Sequence, residues 1–164
     1  MGQTDMSSSS LCKPLLGALL LAMLAGCDGV ATGEKALSID VAQAADGGYG
    51  PIKLALAPQM SPVAVNLRAE HGINAAEAGK WNSYLATLSF NGREVAASKF
   101  NINYSGSAEG QPGTPYILQN MLTARVAEAG DYELTVVPVK PVAVKLNNVR
   151  VEIRRNVEGN ANLR

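Results

Sequence analysis

From Leu37 onward, apolar and polar residues alternate with a period of two. Leu37, Ile39 and Val41 open the pattern, followed by Ile52, Leu54 and Leu56, then Val63, Val65, Leu67 and Ala69. Tyr84, Ala86, Leu88 and Phe90 repeat it, and Phe100, Ile102 and Tyr104 continue it. A longer run sets Tyr116, Leu118, Asn120, Leu122, Ala124 and Val126 in one phase. Tyr132, Leu134 and Val136, then Val142, Val144 and Leu146, and finally Val149, Val151 and Ile153 complete the series. Successive side chains of a strand point to opposite faces, so each run predicts a strand with one buried face. Nine such runs at short spacing predict an all-β fold. The expected form is an antiparallel two-sheet β-sandwich, jelly-roll-like with eight or nine strands, with an immunoglobulin-like sandwich as the alternative.

The residues between the runs refine this picture. Asn91-Gly92 separates two runs and supplies the positive φ angles of a type I′ turn, which predicts a hairpin. Val95 is out of phase with Phe100 and Ile102, so the second strand of that hairpin should contain a bulge. Pro138 and Pro141 cannot donate to a ladder, which places Val137–Val142 at an edge or a crossing. Asp46–Pro51 and Ser105–Pro115 read as loops, and Ala75–Ala78 as one helical turn. Gly130-Asp131-Tyr132-Glu133-Leu134 resembles the Gly-x-Tyr-x-Leu strand start common in immunoglobulin-like and jelly-roll domains. That resemblance implies that Tyr132 is a core residue whose hydroxyl ties down a corner. Glu133 then faces solvent.

The pattern before Leu37 is of another kind. Leu15 to Gly26 is a 12-residue apolar run preceded by Lys13. A bilayer core about 30 Å thick needs roughly 20 apolar residues as a helix, so this run suits a signal-peptide core and not a membrane span. Met6 offers an alternative start that would omit Asp5. The run ends in Leu24-Ala25-Gly26-Cys27, which resembles the lipobox of bacterial lipoproteins. In that family the cysteine thiol takes a diacylglycerol, a dedicated peptidase cuts before it, and the new N-terminus is acylated. The resemblance implies a cleaved signal peptide over residues 1–26, lipidation (diacylglycerol and palmitate) at Cys27, and a tether over 27–36. An ordinary secretory signal cut near Ala25 is the competing reading. The β-sandwich domain then covers 37–157, with a polar tail over 158–164. Asp28 beside the cysteine resembles an inner-membrane retention signal, which favours the inner over the outer membrane for a domain facing the periplasm.

Composition removes several functions. At 164 residues the chain has the length of one domain. Fourteen basic and fourteen acidic residues balance to a formal charge of zero, without the basic excess that nucleic-acid binding demands. One histidine and two cysteines, one of them discarded with the signal and the other lipidated, leave no disulfide. They also leave no metal cluster and no thiol chemistry. His71 beside Glu70 reads as a solvated strand-end histidine and not as a general base. The acids fall mostly in loops or on polar strand phases, and neither a nucleophile elbow nor a phosphate-binding glycine loop occurs. No cofactor is implied, and the chain reads as a non-enzyme.

The remaining candidates are binding residues. Trp81 and Tyr84 differ by an odd number, so they point to opposite faces. Tyr84 shares its phase with Leu88 and Phe90 and belongs to the core, which leaves Trp81 at the rim or outer face. Tyr49 and Tyr116 border loops and could join it. Arg150, Glu152 and Arg154 share one face of the last strand, as a solvent-facing ion-pair ladder or as a contact for an acidic partner or a lipid headgroup. The function expected is that of a non-enzymatic, membrane-anchored periplasmic lipoprotein. Its sandwich would serve as an adaptor or structural subunit that binds an envelope protein, with a glycan-binding module of the cell envelope as the alternative. Exposed apolar surface near Trp81 or Pro138–Pro141 would favour the former, and aromatics clustered on one face the latter.

Overall fold

The computed structural model describes residues 33–71, 79–103 and 116–157. It contains eight strands: β1 (Glu34–Asp40), β2 (Tyr49–Leu56), β3 (Val63–His71), β4 (Trp81–Phe90), β5 (Arg93–Asn103), β6 (Tyr116–Ala124), β7 (Gly130–Pro138) and β8 (Leu146–Arg155). Strand β1 pairs with β8, β2 with β7, β3 with β6 and β4 with β5, every pair antiparallel. The chain is therefore one long hairpin of four nested pairs. Alternate pairs lie in opposite sheets, ordered β1-β8-β3-β6 and β2-β7-β4-β5. This winding is the jelly roll, and it sets aside the immunoglobulin-like alternative. The β2–β3, β4–β5 and β6–β7 connections and Gly33 gather at one end of the sandwich. The strand ends that the other four connections join lie at the opposite end.

The tip of the long hairpin is the turn foreseen at Asn91-Gly92, with φ of 51° and 74°. A Cβ on Gly92 would meet nothing within 4 Å, so the backbone angle and not space calls for glycine there. Leu88 pairs with Ala96 and Ser89 with Glu94, which leaves Val95 as the bulged residue, as its phase indicated. Tyr132 is buried and its hydroxyl donates to the Glu128 carbonyl at 2.9 Å, closing the corner before β7. Glu133 is exposed. The core fills from both inner faces, with Tyr84 stacked on Phe100 (5.4 Å between centroids) and Phe90 on Tyr132 (4.6 Å). Ring contacts of this kind add about 0.5–1.5 kcal/mol beyond burial.

Four expectations change. Val142–Leu146 is not a strand: the first sheet resumes only at Leu146, and the crossing between sheets runs from Val139 to Lys145, so Val137 and Pro138 end β7, an interior strand. In β6 the buried residue near the start is Ile117, while Leu118 is half-buried and Asn120 exposed. The cause is a bulge at Met121: Val65 pairs with Leu122 but Asn66 with Asn120, and the extra residue switches the inward phase between the two halves of the strand. Strand β1 begins at Glu34, three residues before Leu37, where the alternating pattern starts. The loop around Asp46–Pro51 ends earlier than expected, because Tyr49 already lies in β2. The signal peptide, Cys27, Ala75–Ala78, Ser105–Pro115 and the tail over 158–164 lie outside the described residues.

Candidate functional site

Sheet parity decides which of the candidate residues meet. On the outer face of the second sheet, Leu85 sits opposite Val137 on the two central strands, β4 and β7. The Val139 amide donates to the Ser83 carbonyl at 2.8 Å, which carries the β7 direction one step beyond Pro138. Trp81, Ser83 and Leu85 on one strand thus face outward beside Val137 and Val139 on the other. Trp81 is 48% exposed, Val137 44% and Val139 51%, and these are the large exposed hydrophobics among the described residues. Single exposed apolar residues need no explanation, but three on adjoining central strands form a patch that folding leaves uncovered.

Charge is arranged around that patch. The Lys140 ammonium lies 3.3 Å from the centre of the Trp81 ring, a cation–π contact. Lys99 faces Leu85 across the β4–β5 ladder, and Lys80 precedes Trp81; both are exposed. At the far end of the same face stand the acids Glu94 and Glu133, opposite or beside Ser89. The tryptophan end is therefore apolar with a positive rim, and it adjoins the end of the sandwich away from Gly33.

The loop behind the patch is held by one side chain. Asn82 points inward and is buried, as its shared phase with Tyr84 requires. Its Oδ1 accepts from the Ala143 and Val144 amides at 2.8 and 2.9 Å. Its Nδ2 donates to the Val144 carbonyl at 2.8 Å and to the Tyr84 hydroxyl at 3.2 Å. The carboxamide thus replaces the ladder partner that a strand at Val142–Leu146 would have needed. Parity alone marks Asn82 as a buried amide in need of partners, although not which ones.

Two other candidates, Tyr49 and Arg154, are buried. Tyr49 is 3% exposed, with its ring 6.1 Å from that of Tyr84 and its hydroxyl buried without a hydrogen-bond partner. Burial holds the Tyr49 phenol above the ordinary tyrosine range. Arg154 and Glu152 form a ladder, but a buried one. Glu152 accepts from Arg154 at 3.1 Å and pairs with Lys35 at 3.2 Å, while Arg154 also donates to the Gly33 carbonyl. Lys35 on β1 and the backbone at Gly33 are what close over these two side chains. Tyr116 and Arg150 do come together, in a polar cleft on the outer face of the first sheet, on the opposite side of the molecule from Trp81. Among the described residues, no three His, Cys, Asp or Glu side chains gather as a metal set. Comparison with protein-family models, with curated proteins and with solved structures finds no match to this chain. Its class therefore rests on the fold: a jelly-roll β-sandwich.

Proposed function

We propose that the chain is a non-enzymatic lipoprotein of the cell envelope. Cys27 anchors it to a membrane, with the inner membrane favoured by Asp28, and the sandwich faces the periplasm and binds an envelope protein. The observation that carries this reading is the uncovered apolar patch of Trp81, Val137 and Val139 on central strands. An aromatic residue flanked by aliphatic ones on a rigid sheet is the composition of an interface hot spot. The rim of Lys80, Lys99 and Lys140 selects a partner that brings carboxylates around an apolar contact. A glycan platform is less well supported at this face, since Trp81 is its one exposed aromatic among the described residues.

The test is photo-crosslinking in the native membrane from a probe at Ser83, beside the patch, with partners identified by mass spectrometry. One dominant acidic-surfaced protein should appear and should be lost when Trp81→Ala and Val139→Ser are combined. An identical crosslink pattern in the double variant would refute the surface. Trp81 is half-buried, so its truncation also removes packing, and a thermal midpoint of the double variant within a few degrees of the parent's shows that loss of the partner does not reflect unfolding. Anchoring is tested separately: Cys27→Ala should release the chain from the membrane fraction, since acyl chains hold it there.

A further inference from the structure

The polar cleft on the first sheet is a second site, built independently of the Trp81 patch. Its lining includes Arg68 and Glu70 of β3, Tyr116 of β6, and Asn148 and Arg150 of β8. Arg68 and Arg150 stand directly opposite each other across the β3–β8 ladder. Like charges so placed repel, and a sheet keeps them together only where something compensates. Arg150 is compensated on its far side by Asp40 of β1. Arg68 has no carboxylate partner among the described residues, and its guanidinium lies 4.2 Å from the centre of the Tyr116 ring. The ring orients the guanidinium without neutralising it.

The other half of the cleft has the opposite character. Glu70 lies two residues beyond Arg68 on the same face of β3. Its Oε2 accepts from Asn148 Nδ2 at 2.6 Å, while Oε1 makes no hydrogen bond among the described residues. Asn148 has a φ of 47°, at the point where the β3–β8 register slips: Arg68 faces Arg150, but Glu70 faces Asn147. That irregularity parts the two strands' side chains and opens the space. The cleft holds about 200 Å³. A water molecule takes about 30 Å³ of liquid, so the space fits one small polar ring and not an extended apolar ligand.

We propose that this cleft binds a carboxylate-bearing saccharide, with one hexuronate unit seated in it. Arg68 and Arg150 donate to the carboxylate, and the free Glu70 oxygen accepts from a ring hydroxyl. Paired guanidinium groups suit carboxylate geometry. Glu70 makes the choice among anions: a phosphate ester or a simple carboxylic acid would meet only its charge, whereas a hydroxylated acid supplies the donor that it lacks. The two arginines come from neighbouring strands of a hydrogen-bonded sheet, so little ordering is needed on binding.

The experiment is isothermal titration of the full detergent-solubilised chain with a four-unit oligogalacturonate, its methyl ester, acetate and inorganic phosphate. The acid should bind at least tenfold more tightly than the ester, with affinity falling as salt rises. Arg68→Met should weaken it at least tenfold and Arg68→Lys less. Arg93→Met, at the start of β5 and at the other end of the sandwich, should change nothing. Glu70→Ala separates saccharide from generic anion, since it removes the hydroxyl acceptor together with the charge and should lower the affinity for oligogalacturonate relative to that for acetate. Thermal midpoints within a few degrees of the parent's show that the variants are folded. Equal binding of acid and ester, no binding at millimolar oligogalacturonate, or parent-like binding by Arg68→Met and Arg150→Met would each overturn the proposal. So would phosphate or acetate binding more tightly than the saccharide.

Discussion

Asn82 offers the sharpest test of how the crossing loop is held. Changing it to alanine removes four hydrogen bonds and strands both the amide and the carbonyl of Val144, a residue with no exposed surface. A buried backbone group left unpaired costs about 1–3 kcal/mol. Ala143 is exposed, so water can replace the bond to its amide. Two stranded groups therefore set the expectation at about 3 kcal/mol, with partial relaxation of the loop keeping it near the middle of the range. Against a total stability of about 5–15 kcal/mol this is a large loss. With a urea slope of about 2 kcal/mol/M it moves the midpoint down by about 1.5 M. Equilibrium urea unfolding would measure it, and hydrogen exchange at the Val144 amide would locate it. Asn82→Asp is the informative second variant. A buried carboxylate still accepts from both amides but faces the Val144 carbonyl with no proton to donate. Its penalty relative to the parent should shrink as pH falls and the carboxyl is protonated. A loss under 1 kcal/mol for the alanine variant, or an aspartate penalty independent of pH, would refute the account.

Removing Glu152 as alanine should cost about 1.5–3 kcal/mol, because it takes a buried charged hydrogen bond from Arg154 and an ion pair from Lys35. Cutting exposed Glu34, the partner of Arg155, should cost under about 1 kcal/mol, and thermal melts of the two variants give the comparison. Burial raises the folded-state pKa of Tyr49 and Tyr84 above the unfolded value of 10.0. The folded chain then keeps protons that the unfolded chain releases, so stability is unaffected below pH 10 and falls as pH rises beyond it. Tyr49→Phe should flatten that fall in urea melts taken at pH 9 and pH 11, and at neutral pH it should be neutral or slightly stabilising, since it removes an unpartnered buried hydroxyl. Gly92→Ala should cost about 1–2 kcal/mol in a thermal melt, as strain of the left-handed backbone in an otherwise open position.

Much of the fold was legible because period-two alternation reports burial directly. The hairpin at Asn91-Gly92, the bulge at Val95 and the Tyr132 corner all have local causes, and each was readable from a few neighbouring residues. What was not legible depended on contacts distant in sequence. Val142–Leu146 alternates like a strand, yet its backbone is satisfied by Asn82, some sixty residues earlier. The phase of β6 turns on Met121, which looks like any apolar residue until the register with β3 shows it as the extra one. Glu152 and Arg154 looked solvated because nothing in the run of β8 reveals that β1 closes over them. Trp81 was placed on the outer face by parity, but Val137 beside it comes from β7, the carboxylate that pairs with Arg150 comes from β1, and the guanidinium over Tyr116 comes from β3. Binding surfaces on a sheet are assembled across strands, and a single strand's sequence carries only one column of them.

The gathering of connections at two ends has a consequence for how the chain presents itself. On the proposed anchoring, six residues separate Cys27 from Glu34, a reach of at most about 25 Å. The tether arrives at the end that holds Gly33, the β4–β5 turn and the β6–β7 corner. Both the Trp81 patch and the arginine cleft adjoin the other end, a strand of eight to ten residues away, or about 30 Å at 3.3 Å per residue. On that anchoring the Trp81 patch and the arginine cleft could extend beyond the roughly 8 Å over which physiological salt leaves a membrane's surface charge effective. Their partners would then be chosen by how far the sandwich reaches and not by the composition of the lipid.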